Sequence, residues 1–361
     1  MRVLHVVASE KWTGAAAVVW DWTQALSAGG VEAQFAFVAE SHLSRRLLPD
    51  GRARPLLSRA HGALAALSDR RRLADTLARE RFDVVHAHLS HDHYLAALAI
   101  RGGRPRLVRT LHHASQARRD PATRFLFART DAFSYANRAI AKARGAEGPV
   151  HSPVVDAGVF APGLRPPDLA ARFSIPDRAF VVGTVGKMAA GRGHEEAIAA
   201  AAPLPEAVLL HVGKGEHEPA LRQRALDLGS AARNVWTGYQ EQILPGLYRS
   251  MSVFLFTASG SQQGQRAILE AMASGLPVVA LPVPGVEDLV TDGVEGLIAA
   301  NAPALTAALR RLMEDESLRR RMADAARRRA QDFTAERFAA KAIAFYEEVL
   351  SVPSPFGRGL G

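Results

Sequence analysis

The sequence predicts an α/β protein built from two doubly wound domains, each with a parallel sheet. Three observations carry this. Short apolar runs alternate with longer segments of helical period, as in a parallel sheet wrapped by crossover helices. The alternation comes in two series, separated by a stretch holding Pro162, Gly163, Pro166, Pro167 and Pro176, residues that interrupt regular structure. After Asn301 the pattern turns wholly helical.

In the first series, strands are predicted over Val3 to Ala8, Ala33 to Val38, Asp83 to His88, Arg106 to His112 and Asp131 to Tyr135. Helices are expected between them. One, from Ser58 to Arg81, places Leu64, Leu67, Leu73 and Leu77 near one face and most arginines on the other. It is amphipathic and basic, suited to a core or to a membrane surface. Residues 1–160 are thus expected as the first domain, with 161–178 as linker. The second series predicts strands over Phe180 to Gly186, Ala207 to Gly213, Asn234 to Thr237, Val253 to Thr257, Pro277 to Leu281 and Gly296 to Ala299, in a domain of residues 179–333. Residues 334–352 are expected to form a last helix packing back on the first domain. The Pro- and Gly-rich residues 353–361 are expected to be disordered. Two such domains would set the carboxyl ends of their sheets across a cleft, where ligands bind in open sheets.

Composition narrows the chemistry. The 361 residues include no cysteine, which excludes disulfides, thiolate metal sites, iron–sulfur ligation and a thiol nucleophile. The chain opens on a strand-like Met1 to Val7 with no leader pattern, and no apolar run approaches the ~20 residues of a bilayer span. A cytoplasmic protein is expected, able to rest on a membrane surface. The net charge of +9 is uneven: residues 1–163 hold 23 Lys+Arg against 14 Asp+Glu, whereas residues 164–361 hold 22 of each. Arg45, Arg46, Arg52, Arg54, Arg59 and Arg70 to Arg72 concentrate the excess, so an anionic partner is expected to meet the first half. Aromatic residues do not interleave with these arginines, so nucleic acid is not the expected partner.

Two loops carry the site chemistry. After the first strand of the second series come Gly186, Lys187, Met188, Ala189, Ala190, Gly191, Arg192 and Gly193. Two cations five residues apart, among glycines, can close on the oxygens of a diphosphate. The loop lacks the Gly-Lys-Ser/Thr of a Walker loop and the spacing of the dinucleotide fingerprint. Further on, Ser259 to Gln265 lead into a helix carrying Arg266 and Glu270, with Gly275 stopping it. The free N–H groups of such a helix start, including those near Gly264 and Gln265, can hold an anion. Glu270 can accept hydrogen bonds from a diol.

These motifs resemble the retaining glycosyltransferases of the GT-B fold, glycosyltransferase family 4, and the resemblance spans nearly the whole chain. Glu270 to Val279, Glu-Ala-Met-Ala-Ser-Gly-Leu-Pro-Val-Val, matches the end of the family's Glu-x7-Glu element. Gly186-Lys187 and Arg192-Gly193 match its diphosphate-binding element with the cations exchanged. Val212 to Gly215, Trp236 to Tyr239 near the expected base pocket, Asp83 to His88, Thr110 to His112 and Phe160 to Pro162 are also family-like. Gln262 stands where the family has its first acid, so it keeps hydrogen-bonding capacity but supplies no charge. The double glycine after the first strand is reduced to Thr13-Gly14, followed by Ala15.

The resemblance implies transfer of a sugar, with retention, from a UDP- or GDP-type nucleotide sugar to a hydroxyl of a glycan or lipid-linked acceptor, in synthesis of bacterial cell-surface polysaccharide or lipopolysaccharide. It implies that His112, Lys187 and Arg192 act on the reacting groups, and that Gly14, Gly186, Gly213, Tyr239, Gln262, Gly264, Gln265, Arg266 and Glu270 bind the donor. No cofactor and no metal are expected, although His86, His88, His91, His93 and His113 cluster in sequence; His86 and His88 are placed on a strand, His91 and His93 in the loop after it. Two alternatives remain: a GT-B nucleotide-sugar 2-epimerase, and a non-catalytic nucleotide-sugar binder.

Overall fold

A computed structural model describes residues 1–116, 120–258 and 262–354, with the side chains of residues 262–264 outside the description. The chain divides into two compact units, Met1–Val154 with Ala335–Gly361, and Val155–Thr334.

The first unit is one six-stranded sheet of β1 (Arg2–Val7), β2 (Glu32–Val38), β3 (Ala53–Leu57), β4 (Val84–Ala87), β5 (Arg106–Leu111) and β6 (Ala132–Tyr135) in the order β3-β2-β1-β4-β5-β6. All pairs are parallel. Such strands are covered on both faces, which is why they read as continuous apolar runs. One face packs Val3, Phe35, Val84 and Val108 against Trp22, Leu26, Phe338 and Tyr346; the other packs Leu4, Val85 and Leu107 against Leu73, Leu95 and Ala96. The helix Ala335–Ser351 belongs to this unit and lies against the helix Gly14–Ala28.

Strand β3 has no counterpart among the predicted strands. Its Ala-Arg-Pro-Leu-Leu sequence lacks a β-branched run, and Pro55 cannot donate to a ladder, so the strand stands at the sheet edge where that loss is tolerated. The basic helix spans Ala63–Glu80 and buries Leu73 and Leu77, while Leu64 and Leu67 are exposed, contrary to the single apolar face expected.

The second unit has the same winding in β7 (Phe180–Val185), β8 (Ala207–Val212), β9 (Asn234–Trp236), β10 (Val253–Phe256), β11 (Val278–Ala280) and β12 (Gly296–Ile298), in the order β12-β11-β10-β7-β8-β9. The stretch expected as an irregular linker is part of this unit and holds a helix, Pro167–Arg172. Proline is preorganised for a first helical position, and Leu169 and Ala170 are buried in the unit's core. Of the tail, Ser354 donates to Asp131 Oδ1 at 2.7 Å; residues 355–361 lie outside the described residues. Among the described residues no helix is long and apolar enough to cross a membrane.

Candidate functional site

In the second unit the strand order reverses between β7 and β10, and a sheet wound this way binds ligands beyond the carboxyl ends of its strands at that point. The loops leaving the two strands are in contact. Thr257 Oγ1 donates to Gly193 O at 2.6 Å. Gly193 has φ +78°, and a Cβ on it would lie 2.1 Å from Thr257 O, so no side chain fits. The loop after β7 is also stitched to the loop after β8: Gly186 N donates to Val212 O and Met188 N to Lys214 O. There the backbones touch again, because a Cβ on Gly213 would stand 1.9 Å from Gly186 O. Alongside, the helix Gln262–Ala273 follows β10; its first N–H groups lack intrahelical partners and carry the positive end of the helix dipole. Gln262 and Gly264 contribute backbone to that start, while the Gln262 side chain falls outside the described residues.

The side chains fall into three groups. Lys187 is exposed and pairs with Glu216, at 3.0 Å to Oε2 and 3.1 Å to Oε1. Backbone hydrogen bonding and then Lys187 hold the Glu216 carboxyl below its ordinary range. Arg192 is half-buried in the same loop. Glu270 is buried with both oxygens engaged: Arg266 Nε donates to Oε1 and Tyr248 Oη to Oε2, each at 3.0 Å. Burial, then the Glu270 charge, pushes the Tyr248 phenol well up, so it stays a donor. Gln265 is buried, and its Oε1 has no hydrogen-bond partner among the described residues. Near β9, Tyr239 is exposed, donates to Glu241 Oε2 at 3.1 Å and lies 5.8 Å from Lys214 Nζ. Trp236 is stacked on His211 at 4.0 Å with Arg222 4.8 Å from its ring, so its faces are committed to the fold.

In the first unit Gly14 opens the helix Gly14–Ala28, where Thr13 Oγ1 accepts from Ala16 N. His112 ends a line of imidazoles: His5 Nδ1 lies 2.9 Å from His88 Nε2, and His88 Nδ1 lies 3.1 Å from His112 Nε2. Burial, first of all, pushes His5 down to about 3 and His88 well below the ordinary imidazole range, so both are neutral. His86 stacks on His88 at 4.3 Å but spends its nitrogens on Tyr346 Oη at 2.7 Å and Thr110 Oγ1 at 2.6 Å. His5, His86 and His88 bring ligand nitrogens within 4.8 Å of one another. That set fits a metal poorly, because His86 would have to break a hydrogen bond and His88 already holds both neighbours. His91 and His93 lie on the helix Ser90–Ala99 and not in a loop; Asp92 there accepts from His88 N and Leu89 N, which lets the helix begin directly after β4.

Sequence reasoning placed the loops but missed four partners: His5, Glu216, Tyr248 and Thr257. The lone histidine in the apolar run of β1 was a usable signal for His5, which pairs in register with His86. The other three meet the site through tertiary contacts that leave no local pattern.

Residues 179–315 match the family model described as glycosyl transferases group 1, and residues 12–145 that of glycosyltransferase family 4. A D-inositol 3-phosphate glycosyltransferase of Kribbella flavida is 30% identical over 306 residues, covering 73% of this chain and 71% of the relative. The chain belongs to the family 4, group 1 glycosyltransferases. A second relative, the lipopolysaccharide core biosynthesis glycosyltransferase LpsE of Rhizobium meliloti, is 33% identical over 156 residues, 43% of this chain and 45% of the relative. The chain spans about half the length of several curated relatives that it matches. Among solved structures, HepE of Anabaena in complex with UDP superposes with TM-score 0.82 at 20% identity, over 96% of this chain and 100% of that one. At that identity the likeness carries the fold alone, and the fold is GT-B.

Proposed function

We propose that this family 4 chain transfers a sugar, with retention of configuration, from a nucleotide diphosphate sugar to a hydroxyl of a glycan or lipid-linked acceptor in cell-surface polysaccharide or lipopolysaccharide synthesis. The observation that carries the reading is the contact of the two loops at the second unit's strand reversal. It sets the loop of Lys187 and Arg192 beside the loop that leads into the helix Gln262–Ala273. Breaking a glycosyl–phosphate bond builds negative charge on the leaving diphosphate. In this reading Lys187, Arg192 and the helix start stabilise it. Glu270, held in place by Tyr248 and Arg266, accepts from the ribose hydroxyls, and Tyr239 and the backbone at Gly186 and Gly213 line the donor. His112 and Gly14 take the roles that the family resemblance implies for them. UDP is the first donor nucleotide to test, because the HepE structures hold UDP and UDP-glucose. In this reading no metal or resident cofactor takes part, so chelation leaves turnover unchanged. An anionic leaflet is the proposed resting surface, supported by Leu64 and Leu67 exposed on the helix that carries Arg70 to Arg72.

The test is release of free nucleotide diphosphate with formation of a new glycoside. Glu270→Ala is expected to weaken UDP binding, and Lys187→Ala to depress turnover more than binding. An isomerised nucleotide sugar in place of a glycoside would make the chain an epimerase, and UDP binding without release of diphosphate to any acceptor or to water would make it a binding protein. Salt-sensitive sedimentation with anionic but not neutral vesicles is the expected membrane result.

A further inference from the structure

The imidazole line in the first unit has a direction that its hydrogen bonds decide. A neutral imidazole carries one N–H and one lone pair, so the contacts His5–His88–His112 run one of two ways. In one, His112 Nε2–H donates to His88 Nδ1 and His88 Nε2–H donates to His5 Nδ1. His5 is then left with a proton on Nε2. That atom is buried and has no hydrogen-bond partner among the described residues, and a buried donor left without an acceptor carries its full desolvation penalty, about 1–3 kcal/mol. In the other, His5 Nδ1–H donates to His88 Nε2, His88 Nδ1–H donates to His112 Nε2, and the unpaired atom is a bare lone pair, which is tolerated more readily.

We propose that His5 and His88 are positioning residues that hold His112 in the tautomer protonated at Nδ1, with its Nε2 lone pair committed to His88. The role of His112 in sugar transfer rests on the reading above; its tautomer does not. The rings have little room to reorient. Trp22 stacks on His112 with centroids 6.0 Å apart and planes at 24°, and is itself fixed by Nε1–H donating to Ser152 O. His86 flanks His88, anchored by Tyr346 and by Thr110, whose hydroxyl also meets Ser134 Oγ at 2.6 Å. A consequence is that His112 cannot take a proton from an acceptor hydroxyl through Nε2.

The test is a long-range proton–nitrogen correlation spectrum of the nitrogen-labelled full chain above the imidazole titration range, with the His112 signals assigned by their loss in His112→Gln. The expected result is a protonated Nδ1 and a bare Nε2; a protonated Nε2 overturns the proposal. In His88→Phe, which keeps a buried ring but removes the donor, His112 is expected to shift to the Nε2-protonated form, and His88→Asn, with an amide near the Nδ1 position, to restore Nδ1 protonation. An unchanged tautomer in His88→Phe also overturns it. Turnover in His88→Phe is expected to fall about tenfold with donor KM within about twofold, the rate equivalent of one neutral hydrogen bond. If the wild-type spectrum gives the Nδ1 form while no donor yields diphosphate, the tautomer stands and the transferase reading fails.

Discussion

Gly191 and Gly193 stand in one loop with nearly the same backbone, φ +71° and +78°, yet only one is hemmed in. A Cβ on Gly191 meets nothing within 4 Å; a Cβ on Gly193 lies 2.1 Å from Thr257 O, against a floor of 3.0 Å for real contacts. Gly191→Ala therefore carries the left-handed penalty alone, about 1 kcal/mol. Gly193→Ala carries the same penalty and must also part the two loops by about 0.9 Å. That movement breaks the bond from Thr257 Oγ1 and leaves a buried hydroxyl unpaired, at about 1–3 kcal/mol. The total for Gly193→Ala is about 3 kcal/mol. At about 2–4 °C per kcal/mol for a unit of this size, Gly191→Ala should lower Tm by about 3 °C and Gly193→Ala by about 6–12 °C. Because the displaced loop carries Lys187 and Arg192, a shift near 1 Å should also cut turnover about 100-fold in Gly193→Ala, with Gly191→Ala near the parent. Thermal melts and diphosphate release read both. Equal melts and equal turnover in the two variants would refute the claim that contact with Thr257 fixes this loop.

Tyr248→Phe removes a side-chain donor from the buried Glu270, so urea unfolding should show a loss of about 1–3 kcal/mol; an unchanged midpoint would mean that the phenol is not what holds the carboxylate. Acid should weaken both units. His93 and His211, one in each, are pushed down to about 3 by burial. A histidine lowered in the folded state contributes stability that is present above its unfolded value near 6.5 and is lost as pH falls toward the folded one. Each costs about 1 kcal/mol between about pH 7.5 and 5.5. Asp92, raised to about 6 by burial, has the opposite sign and offsets about as much as one of them in the first unit, where His5 and His151, pushed down by burial to about 3 and about 4, keep the net effect a loss. Melting temperatures that stay flat across that window would contradict neutral buried histidines.

How far the sequence speaks depends on the range of the interaction. Buried parallel strands advertise themselves as apolar runs because both faces are covered, and among the described residues eleven of the twelve strands coincide with predicted runs. The twelfth, β3, escapes because an edge strand needs only half a ladder and one covered face, so Arg54 and Pro55 are tolerated where a central strand would forbid them. Leu64 and Leu67 mislead for a related reason: helical spacing says which residues share a face, but whether a neighbour covers the whole face is decided elsewhere in the chain. The same division runs through the site. Lys187, Arg192 and Glu270 are legible because winding alone puts loops and helix starts at the strand ends where a sheet binds ligands. Their partners are not. Glu216 stands 29 residues from Lys187, Tyr248 22 from Glu270, and Thr257 64 from Gly193. No periodicity links positions so far apart; only the register of the finished sheet does. The imidazole line is the extreme case, with His5 and His88 83 residues apart and joined because β1 and β4 are neighbours at the strand reversal. The charged residues of the candidate site are therefore readable from local sequence, whereas the partners they meet in the fold become visible only after the strands are ordered. Variants of the second kind, such as Gly193→Ala and His88→Phe, are the ones that separate this fold's particular chemistry from the family pattern.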